Sequence, residues 1–275
     1  MLLLPGLGRQ LLDWDPAFCD SLAAVGFRVI RLDNRDAGLS PRIDAGKINI
    51  AELLHSVRTG APCDAPYALR DMADDTVRLM DALDTDSAHV VGTSMGGMIA
   101  QTMAVAHPDR VRSVVSIMST TGDREVGRPE NREIAARLWT APPSDREAAI
   151  SHFVEGRRLV NGATPFDPAA ARREEGTAYD RAFSPGGTGR QLAAVVAGGD
   201  RTAELAGVRA PTLVIHGTLD PLIALSGGRA TADAISGARF LAIEGMGHEL
   251  RLPPPYREAI VAAIVGHAGD ADRYW

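Results

Sequence analysis

Cysteine is scarce: the 275 residues hold two, Cys19 and Cys63, far apart and in no CxxC pair. That excludes a disulfide framework and a cysteine zinc cluster, and it points to a reducing, cytoplasmic compartment. Basic charge is not in excess either. The formal net charge is −6 and the pI about 5.7, which argues against nucleic acid or an anionic membrane as partners. Long apolar runs are missing too. Met1-Leu2-Leu3-Leu4 ends at Pro5-Gly6 with no basic residue before it, so it does not read as a signal peptide. Nothing approaches the ~20 apolar residues that a bilayer crossing needs. What remains is ordinary globular composition, 45% hydrophobic and 23% charged. A chain of this length buries about three quarters of its unfolded surface, so its core needs no metal or disulfide staple.

Short apolar runs alternate with helical patterns. Strands are expected at Leu2–Pro5, Phe27–Asp33, His89–Gly92, Val111–Met118, Pro211–His216 and Arg239–Ile243. Helices are expected at Pro16–Val25, residues 69–83, Met95–Ala106 and residues 256–267. Strand and helix in alternation argue an α/β fold with a mainly parallel sheet. Residues 121–190 contain no convincing strand. Ser144-Asp145-Arg146-Glu147 reads as a capping box, Asp167-Pro168 as a helix start, and Gly186-Gly187 and Gly198-Gly199 as turns. Five of the thirteen aromatics fall in this stretch: Trp139, Phe153, Phe166, Tyr179 and Phe183. Residues 121–190 are therefore expected to form a helical cap on a core of 1–120 and 191–275, with those aromatics as candidate substrate contacts.

Gly92-Thr93-Ser94-Met95-Gly96 lies between the strand AHVV and the helix MGGMIAQTMAVA. That is the strand–turn–helix context of a nucleophile elbow. A serine on so tight a turn has strained backbone, and side chains two residues away on either side would collide, so glycine stands at both places. The hydroxyl then projects above the sheet, and the Met95 N–H points at a developing oxyanion. A serine hydroxyl needs a base, and the base an orienting carboxylate, in the chain order Ser, Asp or Glu, His. The strand PTLVIH runs into Gly217-Thr218-Leu219-Asp220, which offers Asp220. The strand RFLAI runs into Glu244-Gly245-Met246-Gly247-His248, which offers His248. Both lie where an α/β sheet presents its chemistry, at the carboxyl ends of strands.

With LLLPGLG, RLDNRDAGLS, VVGTSMGG, VIHGTLDPL and GMGHEL in place, the chain resembles the α/β-hydrolase superfamily over nearly its whole length. Within it, it resembles the aclacinomycin methylesterase-like serine esterases. The resemblance implies Ser94 as nucleophile, Asp220 as orienting acid and His248 as base. It also implies the Leu7 N–H, in Pro5-Gly6-Leu7, as second oxyanion donor beside Met95. The implied reaction is cleavage of a small-molecule carboxylic ester through an acyl-enzyme, with no metal or organic cofactor. Lactone or carbon–carbon bond hydrolysis and cofactor-free haloperoxidation are alternatives on the same triad, and a non-catalytic ligand-binding protein is another. The aromatic-rich cap suggests an apolar moiety in the substrate. Two departures stand out. Relatives carry two further strands before LLLPG, so either the start is truncated or the sheet has about six strands. Asp36 stands where many relatives have glycine.

Without the earlier strands, Phe27–Asp33 should be an apolar sheet edge. That predicts either a homodimer there or a covering segment such as the tail Gly269–Trp275. Two competing readings are weak. Gly6-Leu7-Gly8 with Asp33 mimics a dinucleotide fingerprint, but Leu11 holds the third glycine's place and Pro16 follows too closely for a helix there. His248-Glu249 lacks the second histidine of a zinc-binding helix. Among the other histidines, His107 precedes a proline at a helix end, His216 sits on a strand beside glycine and the rest match no ligand spacing, so they read as structural or solvent-exposed.

Overall fold

Three consecutive leucines open the sheet. β1 (Leu2–Leu4) is fully buried, and its pleat sends Leu2 and Leu4 into one apolar cluster and Leu3 into another. A computed structural model of the chain describes residues 1–46, 48–129 and 132–274. α1 (Pro16–Ala24) starts where Asp15 accepts the Phe18 N–H, with Pro16 in the first turn. β2 (Ile30–Arg31), α2 (Ile50–Thr59), α3 (Leu69–Ala82), β3 (Ala88–Thr93), α4 (Met95–Ala106) and β4 (Val111–Ile117) follow. The chain then builds α5 (Arg132–Leu138), α6 (Arg146–Val160), α7 (Pro168–Arg181), α8 (Pro185–Gly198) and the short α9 (Thr202–Leu205). It returns with β5 (Thr212–Gly217), α10 (Leu225–Ala234), β6 (Arg239–Ile243) and α11 (Tyr256–Ala271).

Every strand pairing is parallel, in the order β2-β1-β3-β4-β5-β6. The six-stranded α/β sheet is the expected one. One face packs Val90 and Val114 against Met72 and Met80 of α3 and Ile99 and Met103 of α4. The other packs Val91, Val115 and Ile215 against Phe18 and Leu22 of α1 and Ile260 and Ile264 of α11. The chain leaves β1 toward β2 on one side and β3 toward β4 on the other. Such a reversal opens a crevice at the carboxyl ends of the two strands.

Several elements differ from expectation. The strand expected over Phe27–Asp33 shrinks to Ile30–Arg31. β1 has only three residues, so β2 finds ladder partners only at Leu2 and Leu3. β2 is the sheet edge, but two residues make a poor template for pairing. The case for two copies joining there loses its seven-residue edge. The tail is the other candidate to cover this edge. Its Asp272 pairs with His89 at 3.0 Å and Arg112 at 2.8 Å, on β3 and β4, and the His89 ring packs edge-on against Phe27; Trp275 lies outside the described residues. α6 is capped by Asp145, which accepts the Ala148 N–H at 2.9 Å. Ser144, one residue earlier, offers its carbonyl to the Tyr179 hydroxyl instead. Gly186-Gly187 lies inside α8 rather than in a turn. A Cβ at Gly187 would stand 2.0 Å from the Asp36 carbonyl, so close approach, not chain reversal, puts glycine there.

Candidate active site

Ser94 joins β3 to α4 at φ 53 and ψ −119, a conformation that non-glycine residues avoid and that costs roughly 1–3 kcal/mol. The surroundings impose it. Its N–H donates to the Ile117 carbonyl at 2.9 Å, and its own carbonyl accepts from Gly97 and Met98 and from the Ser119 hydroxyl at 2.8 Å. The glycines on either side are needed, although not because they would strike each other's side chains. A Cβ at Gly92 would lie 2.1 Å from the Gly96 carbonyl oxygen, and one at Gly96 2.1 Å from the Leu4 carbonyl oxygen. The elbow is pressed onto β1 as well as onto its own helix.

β1 pairs with β3 up to Leu4 and Gly92, so the loop after β1 emerges beside Ser94. A Cβ on Gly6 would be 3.4 Å from the Ser94 Cβ. Gly8, at φ 67, donates its N–H to Gln191 of α8 at 2.7 Å. The Leu7 and Met95 N–H groups meet no acceptor among the described residues, as donors reserved for a ligand would.

Asp220 follows β5 and His248 follows β6. Asp220 Oδ2 accepts from His248 Nδ1 at 2.7 Å, while Oδ1 accepts the Leu222 and Ile223 N–H groups at 2.9 Å each. Burial alone would raise the Asp220 pKa, but His248 and a second histidine, His216, hold the carboxyl well below the usual carboxylate range. The His248 loop leans on the helices between β4 and β5. Its N–H donates to the Val160 carbonyl at 2.6 Å, and the Ala163 N–H to the Gly245 carbonyl at 2.8 Å. A Cβ on Gly247 would be 2.1 Å from that Val160 carbonyl.

Ser94 and His248 face one cavity of about 260 Å³, whose wall includes Leu7, Met118, Ile134, Phe153, Val160, Leu222 and Leu250. A smaller annex of about 50 Å³ shares Phe153 and adds Tyr179 and Phe183, stacked 4.4 Å apart. Phe153, Tyr179 and Phe183 therefore stand near the site, whereas Trp139 and Phe166 line neither space.

Composition and motif gave no sign of the charged pole beside His248. Arg157 donates to Glu249 at 2.7 Å and to Glu174 at 2.7 Å. Arg9 bonds Asp13 at 2.8 Å and Glu175 at 2.9 Å. Glu249, beside His248 in the chain, is thus an arginine partner. Asp33 likewise takes the Leu11 and Leu39 N–H groups and Arg181. That leaves its carboxylate no free face for a ribose. No cluster of three metal-ligating side chains occurs among the described residues.

Residues 1–253 match the family described as the alpha/beta hydrolase fold. The rhodomycin D methylesterase DauP of Streptomyces sp. (strain C5) is 31% identical over 290 residues, spanning 97% of this chain and 90% of its own. The 2-hydroxymuconate semialdehyde hydrolase of Pseudomonas sp. (strain CF600) is 34% identical over 216 residues, 74% of this chain and 70% of that protein. Among solved structures, a hydrolase from Pseudomonas aeruginosa superposes with a TM-score of 0.70 at 27% identity, covering 98% of this chain and 89% of that one. The match runs through the segments that bear Ser94, Asp220 and His248, and the chain belongs to the α/β-hydrolase fold family, in which it resembles the aclacinomycin methylesterase-like esterases.

Proposed function

We propose that the protein hydrolyses a carboxylic ester through an acyl-enzyme, with Ser94 as nucleophile, His248 as base and Asp220 as orienting acid. The observation that carries this reading is the 2.7 Å His248–Asp220 bond beside a serine strained to φ 53 on one mainly apolar cavity. The similarity to a rhodomycin D methylesterase supports an ester as the bond cleaved. Ser94 Oγ attacks the carbonyl while His248 takes its proton. The Leu7 and Met95 N–H groups hold the tetrahedral oxyanion. His248 then protonates the leaving alcohol, and water repeats the cycle on the acyl-enzyme. Asp220 keeps the His248 proton on Nδ1, which leaves Nε2 free for the serine. The helices α5–α8 act as a cap, and Phe153, with Tyr179 and Phe183 in the annex, receives an apolar part of a small-molecule substrate. Trp139 and Phe166 take no part in this reading.

The second reading is carbon–carbon bond hydrolysis, favoured by the similarity to the semialdehyde hydrolase. The deciding experiment is a panel of p-nitrophenyl esters of rising acyl length, with Ser94→Ala as control. Turnover should fall roughly 10⁴–10⁶-fold in the variant with the fold unchanged, because nucleophile and base act as one unit. Near-wild-type turnover in Ser94→Ala would exclude the mechanism. A protein that only binds ligands would show thermal shifts with apolar esters and no turnover in either form.

A further inference from the structure

The Asp220 carboxylate has a second histidine at its side. His216, on β5, is fully buried. Its Nε2 lies 2.8 Å from the Ile223 carbonyl and 3.4 Å from Asp220 Oδ2. Both neighbours are acceptors, so the ring proton sits on Nε2. Nδ1 is buried with no partner among the described residues. A Cβ at Gly228 of α10 would lie 2.3 Å from that nitrogen, so the helix leaves out a side chain to make room for the ring. A buried polar atom without a partner is unfavourable, and an aliphatic residue would fill this strand position without one. The turn after β5 supplies the reason for a histidine. Ile223 gives its N–H to Asp220 Oδ1 and its carbonyl to His216. It is gripped at both ends, and the carboxylate is fixed with Oδ2 toward His248.

We propose that His216 is a positioning residue for the hydrolysis: its Nε2–H seats the 220–223 turn and sets the direction and basicity of the carboxylate that orients His248. This rests on reading Asp220 as the orienting acid. His216 touches neither substrate nor reacting atoms. With its N–H beside Oδ2, the negative charge there is shared between two histidines. Without it, the His248 imidazolium receives the whole charge and is more stabilised, so the acid limb of kcat/KM moves to higher pH. The other charged groups around His248 do not change with this substitution. Glu249 stays with Arg157 and Asp13 with Arg9, and Arg137 and His152 face the cavity from α5 and α6.

The test compares His216→Met, His216→Asn and His216→Gln in the full chain on p-nitrophenyl butyrate from pH 5 to 9. Glutamine carries an N–H near the Nε2 position. The asparagine amide stops near Nδ1, and methionine fills the space with no donor. Met and Asn should lower kcat about tenfold, the scale of one hydrogen bond to a charged group, with KM within twofold. Their acid limb should rise by ~0.5 pH unit or more. Glutamine should return the limb to the wild-type position and recover most of kcat. If the methionine variant fails to fold, the Asn–Gln pair decides. An acid limb unmoved in every variant, or Gln as impaired as Asn, overturns the proposal. Failure of the ester reading looks different: the wild-type protein itself turns over no ester, and the role of His216 falls with it.

Discussion

Replacing Asp36 by glycine sets two physical effects against each other. Asp36 sits at φ 70, a left-handed conformation that disfavours an L-residue by roughly 1–2 kcal/mol and that glycine enters freely. On backbone grounds alone the substitution stabilises. The side chain argues the other way. Its carboxylate has no exposed surface, and the partner Arg190 side chain is 13% exposed. It accepts from Arg190 Nε at 2.9 Å and Nη2 at 2.6 Å, from the Tyr67 hydroxyl at 2.7 Å and from the Ile43 N–H at 2.9 Å. Glycine would leave a half-buried guanidinium without its acid and two further donors unbonded. Breaking a buried pair from one side costs about 3–5 kcal/mol. After the backbone relief, a net loss of about 1–4 kcal/mol remains. At roughly 2–4 °C per kcal/mol for a chain of this size, Tm should fall by roughly 2–16 °C. Arg190→Met breaks the same pair from the other side with no backbone relief, so it should cost as much or more, although Asp36 keeps Tyr67 and Ile43. The double variant should lose less than the two single losses together. Urea denaturation at pH 7, with midpoint and slope fitted for all four proteins, measures this. An Asp36→Gly protein as stable as the wild type would refute the reasoning, since backbone relief would then outweigh the buried pair.

Other consequences can be checked directly. Gly96→Ala puts a Cβ 2.1 Å from the Leu4 carbonyl oxygen and 2.8 Å from that of Pro5. Neither backbone can retreat, so the variant should lose about 3 kcal/mol or more and most ester turnover, as read by thermal melts and p-nitrophenyl esters. Phe153→Ala should change acyl-length preference in kcat/KM, while Trp139→Ala and Phe166→Ala, away from both spaces, should leave it unchanged. Burial alone would raise the pKa values of Asp13, Asp36 and Glu174, but arginine partners hold all three below the ordinary carboxylate value. A depressed folded pKa gives stability that is present above the unfolded value of about 4 and lost as pH falls through the folded one. Tm should therefore drop steeply below about pH 4, with a shallower fall in Asp36→Asn, and a flat profile from pH 5 to 3 would contradict the pairing.

The residues proposed for catalysis were legible because each sits at a strand end inside a short signature. The elbow glycines, the turn after PTLVIH and the loop after RFLAI are all local features, and local features are what one sequence displays. FRVIRLD misleads because strand length is set by the partner as well as by propensity: three-residue β1 offers ladder positions to Ile30 and Arg31 only. α2 went unread although its signals are present. Asn49 accepts the Glu52 N–H at its start, and Gly60 closes it at φ 74. Gly186-Gly187 misleads in the opposite sense, since a glycine pair marks close packing as readily as a turn. His216 reads as an ordinary strand residue because its partners, Asp220 and Ile223, meet it only once the turn has formed.

The seam between the helices α5–α8 and the sheet was the least legible part, and its chemistry explains why. The sheet is held by two apolar clusters, to which these helices contribute one buried residue, Ala194, with the partly buried Val195 packed beside it. They dock instead through ions and amides: Arg9 to Glu175, Arg157 to Glu249, Arg181 to Asp33, Arg190 to Asp36, and Gln191 to Gly8. The partners of these ion pairs lie between 92 and 166 residues apart in the chain, so no periodicity announces them. Three of the five core ends fall on loops that carry candidate site residues. Gly8 and Arg9 follow the Leu7 donor, Glu249 follows His248, and the His248 N–H itself bonds Val160 of α6. The helices that shape the cavity therefore also hold the loops that face Ser94. On the proposed mechanism, a substitution in this seam would act on substrate fit and on the position of His248 together, so its effects on KM and kcat should be coupled even where the residue touches no substrate.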